Sequence, residues 1–128
     1  MIHTPETESA TLEILQDCWE QAASRKIARR GTNPLREDLY ERISHEMLPM
    51  VVHLLHERRD CDCSELVCTV KRLVIEHIFY ENAVEAEQWQ INVDSQVKMI
   101  LQAMEVAREK LINEGEWSQE PVTPMMFG

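Results

Sequence analysis

The chain has 128 residues, enough for one domain with a single core. Hydrophobic residues make up 44% and aromatics only 5%, and there are three glycines, a balance that favours an all-helical protein. Thirteen basic against twenty-three acidic side chains leave a net charge of −10, which repels phosphate backbones and anionic lipid and argues against direct nucleic-acid or membrane binding.

The opening stretch, MIHTPETESATLE, is polar and acidic and does not read as a signal peptide. No apolar run is long enough to span a bilayer. Four cysteines without a secretory signal point to free thiols in a reducing cytoplasm.

The periodicity predicts a first helix opening at Thr4, with Pro5 in the first turn and an apolar stripe of Leu12, Leu15, Trp19, Ala22 and Ile27. It closes on a basic cluster, Arg25, Lys26, Arg29 and Arg30, where cations complement the helix dipole, and Gly31 supplies a left-handed cap. After a short turn, Asn33 caps a second helix with Pro34 at its first position. Its expected inward stripe is Leu35, Leu39, Ile43, Met47, Met50 and Leu54. Pro49 lies inside that pattern and predicts a kink, because it lacks a backbone donor and crowds the His45 carbonyl.

Around Pro49 the helix is apolar on nearly every side. It is therefore either central in the bundle or an interface. On the second reading its outer face, His45, Leu48, Val52, Leu55 and His56, meets another protein or a second copy of the chain.

Asp62 and Glu65 form a capping-box variant that opens a third helix, with Leu66, Val70, Leu73, Val74 and His77 on one face. That stripe placement makes His77 a buried, hydrogen-bonded histidine. The pattern weakens over ENAVEAEQWQIN, which reads as a helix tail or a connection. Val93, Val97, Ile100, Met104, Ala107 and Leu111 then follow a heptad seam that ends at Gly115. The expected fold is an all-α antiparallel four-helix bundle with a kinked second helix, formed by residues 1–115. Residues 116–128 form an irregular tail, whose Trp117, Met125, Met126 and Phe127 make a candidate docking peptide.

Two metal patterns fail. No Glu has a His three residues later, as carboxylate-bridged di-iron bundles require, and neither His-Glu pair is completed to His-Glu-x-x-His. In HLLHERRDCDCSELVC, Cys68 points away from the face of Cys63, about 140° round the helix from it. The zinc set that survives is His53, His56, Cys61 and Cys63, which would tie the second helix to the third. The competing reading is a turn with semi-buried thiols. No glycine-rich phosphate loop, nucleophile pair or oxyanion hole is legible, so the chain is read as a non-enzyme.

Acid is concentrated late in the chain, with twelve acidic and five basic side chains after residue 60. No Lys or Arg occurs between Arg72 and Lys98, whereas Glu76, Glu81, Glu85, Glu87 and Asp94 do, so this segment is a candidate docking surface for a basic partner. The sequence is best read as a small acidic protein-binding regulator (adaptor, chaperone or inhibitor) that forms a homodimer. The alternatives are a nucleic-acid mimic, whose carboxylates stand in for phosphates, and a zinc-stabilised regulatory protein.

Overall fold

The computed structural model describes residues 5–31, 33–57 and 63–114, and these residues form helices and short links with no strand. Five helices stand among the described residues where four were expected. They are α1 (Pro5–Arg30), α2 (34–57), α3 (64–79), the short α4 (Ala83–Gln88) and α5 (Val93–Asn113). Both α2 and α3 contain a π turn, Ile43–Met47 inside α2 and Ile75–Phe79 at the end of α3. Among the described residues no helix is long and apolar enough to cross a membrane.

Local chemistry sets the first two helix boundaries as the sequence indicates. Gly31 takes φ +84, which a side chain would resist, and its N–H reaches the Ile27 carbonyl at 2.7 Å. The Asn33 side chain accepts the Arg36 N–H at 2.6 Å, with Pro34 first in the helix. The start of α3 differs from expectation. Its N-cap position is Cys63, with no side-chain cap bond, whereas Asp62 lies outside the described residues.

The core is built around α1, which packs along α5 and the C-terminal half of α2, while α3 packs on α5. Three hydrogen bonds give the sense of the α1–α2 pair. Thr11 Oγ1 meets His56 Nε2 at 3.1 Å, Gln16 Nε2 donates to the Ser44 carbonyl at 2.9 Å, and Trp19 Nε1 donates to the Tyr40 carbonyl at 3.0 Å. Numbers rise along α1 as they fall along α2, so the pair is antiparallel. Lys26 with Ser95 (3.2 Å) and Asp17 with Lys110 (3.9 Å) establish the same sense for α1 and α5.

The heptad seam of α5 is buried from Val97 through Leu111, with Val93 half-exposed. In α1, Leu15, Trp19 and Ala22 are buried as expected, and Thr11, Cys18 and Ala23 join them.

The irregularity expected at Pro49 appears as the π turn directly before it. The Leu48 N–H reaches back five residues to the Ile43 carbonyl, so it no longer serves Ser44. The next candidate donor for Ser44 is residue 49, and proline has no N–H. The Ser44 carbonyl therefore loses both helical donors, and Gln16 from α1 supplies the replacement. Gln16→Ala is expected to cost about 1–2 kcal/mol, measured by urea unfolding, because it leaves that carbonyl unpaired.

Each π turn also adds one residue to the repeat and rotates everything after it. Leu39, Ile43 and Met47 are buried as the α2 stripe requires. Beyond the turn the stripe moves on by one, to Leu48, Val51, Val52 and Leu55, while Met50 is 38% exposed and Leu54 half-buried. In α3, Leu66, Val70 and Val74 continue to Ile78 and Phe79. His77, expected inside, is instead exposed. Its carbonyl accepts a hydrogen bond from Arg42 Nη2 at 3.0 Å, which ties the second π turn to α2.

Candidate docking groove

An open apolar concavity lies where the chain turns from α3 through α4 into α5. Its volume is about 650 Å³, and Ile75, Tyr80, Ala83, Glu87, Gln90 and Ile91 are among the residues that line it. Ile75 opens the second π turn, and its carbonyl accepts the Tyr80 N–H at 3.0 Å. The chain then leaves α3, with Asn82 Nδ2 donating to the Ile78 carbonyl at 3.3 Å.

Alanines at 83 and 86 keep the inner face of α4 low, which leaves space above it. The helix closes in a Schellman arrangement. The Ile91 N–H bonds to the Ala86 carbonyl at 2.8 Å and the Gln90 N–H to Glu87 at 3.0 Å. Gln90 takes the left-handed position (φ 59) that glycine usually fills, at a cost of about 1–2 kcal/mol. Burial of Ile91 and Ala86 against the core helps to hold it there.

Tyr80 is 82% exposed and Ile75 41%, so the groove presents apolar surface to solvent. Glu87 lines it, and the exposed Glu76 and Glu81 each follow a lining residue in sequence. Asp94 also follows one, and lies 3.4 Å from Lys71 Nζ. Glu85 is different. Its helical phase puts it with Val84 on the opposite side of α4 from Ala83, Ala86 and Glu87. The five carboxylates proposed from sequence therefore do not share one face. Sequence reasoning missed Ile75, Tyr80 and Gln90, and the only signal was the loss of periodicity after His77.

The outer face proposed for α2 does not exist as such. Leu48, Val52, Leu55 and His56 are buried in this chain, and only His45 of that set is exposed. The cause is the π turn, which moves the core stripe onto them and removes the surface assigned to a homodimer.

The zinc set is not brought together by the described residues. His53 is exposed, with Nδ1 3.0 Å from Glu8 Oε1, whereas His56 is buried against Thr11. Cys63 is half-buried against the core, and Cys61 lies outside the described residues, as do Trp117, Met125, Met126 and Phe127. Among the described residues no three His, Cys, Asp or Glu side chains converge as a metal site would require. Cys18 is a buried free thiol. Burial pushes its pKa up, with Lys110 opposing, so it stays protonated at neutral pH.

No protein-family model, curated protein or solved structure matches this chain.

Proposed function

We propose that this protein is a non-enzymatic binding module that holds a basic amphipathic helix of another protein in the groove between α3, α4 and α5, as an adaptor, chaperone or inhibitor would. The observation that carries this reading is an open apolar groove whose own segments, from 73 to 97, contain carboxylates and no Lys or Arg. An amphipathic helix docks its apolar face in such a groove, and flanking cations meet the acidic rim. A second copy of the chain fits less well, because it would bring another net charge of −10 to an acidic surface. Free thiols at Cys18, Cys63 and Cys68 suit the reducing cytoplasm expected for such a module.

Fluorescence anisotropy with a synthetic amphipathic Leu/Lys helix tests this reading. The peptide is expected to bind, its Leu/Glu counterpart is not, and Tyr80→Ala and Glu87→Lys should each weaken binding about tenfold or more. Both residues are exposed, so neither substitution threatens the core. Binding that survives Tyr80→Ala but is lost on Glu81→Lys and Glu85→Lys would overturn the groove in favour of phosphate mimicry.

A further inference from the structure

The C-terminal end of α1 carries Arg25, Lys26, Arg29 and Arg30, and Arg36 joins them from the first turn of α2. In a chain of net charge −10 this is a local reversal of sign. Two contacts fix where the cations lie. Lys26 Nζ donates to Ser95 Oγ at 3.2 Å, in the first turn of α5, and Arg36 Nη1 donates to the Gly31 carbonyl at 2.8 Å. The end of α1 and the first turns of α2 and α5 therefore meet here. Two of these helix ends are N-termini, which add positive partial charge.

The dipole of α1 accounts for only part of the cluster. It favours Arg29 and Arg30 in the last turn but fades before Lys26 and Arg25. Arg36 stands at the N-terminal end of α2, where a helix dipole disfavours a cation. The inward stripe of α1 gives a further reason for the grouping. Leu15, Trp19 and Ala22 are buried on it at steps of four and three, and the next positions in that rhythm are Lys26 and Arg29. Arg30 lies about 40° round the helix from Lys26, whereas Arg25 lies about 100° off, on the side of Cys18. Burial, and then Arg30, Arg29 and Arg36, push the Lys26 pKa below its usual value, so these four cations share one field and repel one another. Elsewhere Arg42, Lys71 and Lys110 each pair with a carboxylate. Among the described residues none of Lys26, Arg29, Arg30 and Arg36 does, although Glu37 and Asp38 stand exposed directly after Arg36.

We propose that this surface docks a phosphorylated serine or threonine of another protein, with the phosphate set among Lys26, Arg29, Arg30 and Arg36. A phosphate monoester brings nearly two negative charges and three acceptor oxygens in one compact group, and guanidinium forks bind such oxygens in pairs. It offsets the mutual repulsion of four cations, where a single carboxylate carries only about half the charge. A nucleic acid offers the same group, but its run of further phosphates meets the acidic remainder of the chain. Arg29 and Arg30 are exposed and Lys26 and Arg36 half-buried, so all four side chains are within reach of a partner. None of them lines the groove proposed above, and either site can fail alone.

The test is ¹H–¹⁵N NMR of the full chain titrated with a short Gly/Ala peptide that carries one phosphoserine, and with the same peptide carrying serine or glutamate instead. The phosphopeptide is expected to give saturable shifts at the Gly31 and Ser95 amides, the glutamate peptide to bind clearly more weakly, and the serine peptide to give no shift. Arg29→Gln and Arg30→Gln should each weaken phosphopeptide binding about tenfold, the scale of a lost charged hydrogen bond, whereas Arg25→Gln should stay within about twofold. All three side chains are exposed, so the substitutions leave the core intact. Equal shifts with the serine peptide, or an equal loss on Arg25→Gln, would overturn the proposal. Glutamate binding as tightly as phosphoserine would overturn it in favour of an acidic peptide, and tighter binding of a short oligothymidylate in favour of nucleic acid.

Discussion

Trp19→Ala is expected to remove about 3–5 kcal/mol of stability, a large part of what a domain of this size possesses. Trp19 is 1% exposed and sits at the middle of α1, where that helix meets α2. Truncation forfeits the buried indole area, opens a cavity that the antiparallel helices can only partly close, and breaks the edge-to-face pair with Tyr40. It also takes the indole donor from the Tyr40 carbonyl. Trp19→Phe separates these contributions. It keeps most of the ring volume, loses the hydrogen bond, and should cost nearer 1–2 kcal/mol. Urea unfolding followed by far-ultraviolet circular dichroism reads both variants without using tryptophan as the probe. A loss below about 1 kcal/mol for Trp19→Ala would mean that α1 does not pack on α2 as described.

The same α1–α2 contact shows what the sequence could and could not reveal. Caps at Gly31 and Asn33, and the α5 seam, were legible because each depends on neighbours within a turn or on a regular repeat. The stripes of α2 and α3 were legible only up to their π turns. A π turn inserts one residue into the helical repeat, and in α3 no proline marks where it falls. Helical phasing then fails downstream by one position, which is how His77 moved from the expected interior to the surface and Met50 from the core to the edge.

Surface concavities follow from the same two irregularities. Ser44 and His45 of the first π turn line one between α1 and α2, and Ile75 and Phe79 of the second line the groove. A regular helix would present a closed ridge at either place. The widened turns create recesses, and the groove has a further cause in the two alanines of α4. π turns occur often at functional sites, and here both adjoin a cavity. The acidic character of the groove was readable from composition alone, whereas its apolar floor depended on a helix end that periodicity could not phase.

The sharpest contrast between the two phases of α2 lies in Leu48 and Met50. Regular helical spacing puts Met50 inside and Leu48 on an outer, partner-facing edge; the π turn reverses them, with Leu48 fully buried and Met50 38% exposed. Leu48→Asp is therefore expected to destabilise the protein by more than about 4 kcal/mol, because an unpaired carboxylate would enter the core between α1 and α2. Most of the chain should then lose its cooperative thermal transition. Met50→Asp should stay within about 1 kcal/mol of the parent, since its carboxylate can reach water. Calorimetry on the two variants gives opposite orders for the two phases. If Leu48→Asp folded normally and only lost self-association by light scattering, Leu48 would belong to an interface and the π turn would have no place in α2. If Leu48→Asp unfolds while Met50→Asp does not, the apolar surround of Pro49 belongs to the core of the chain itself, and that face of α2 is not a surface for a second copy or a partner.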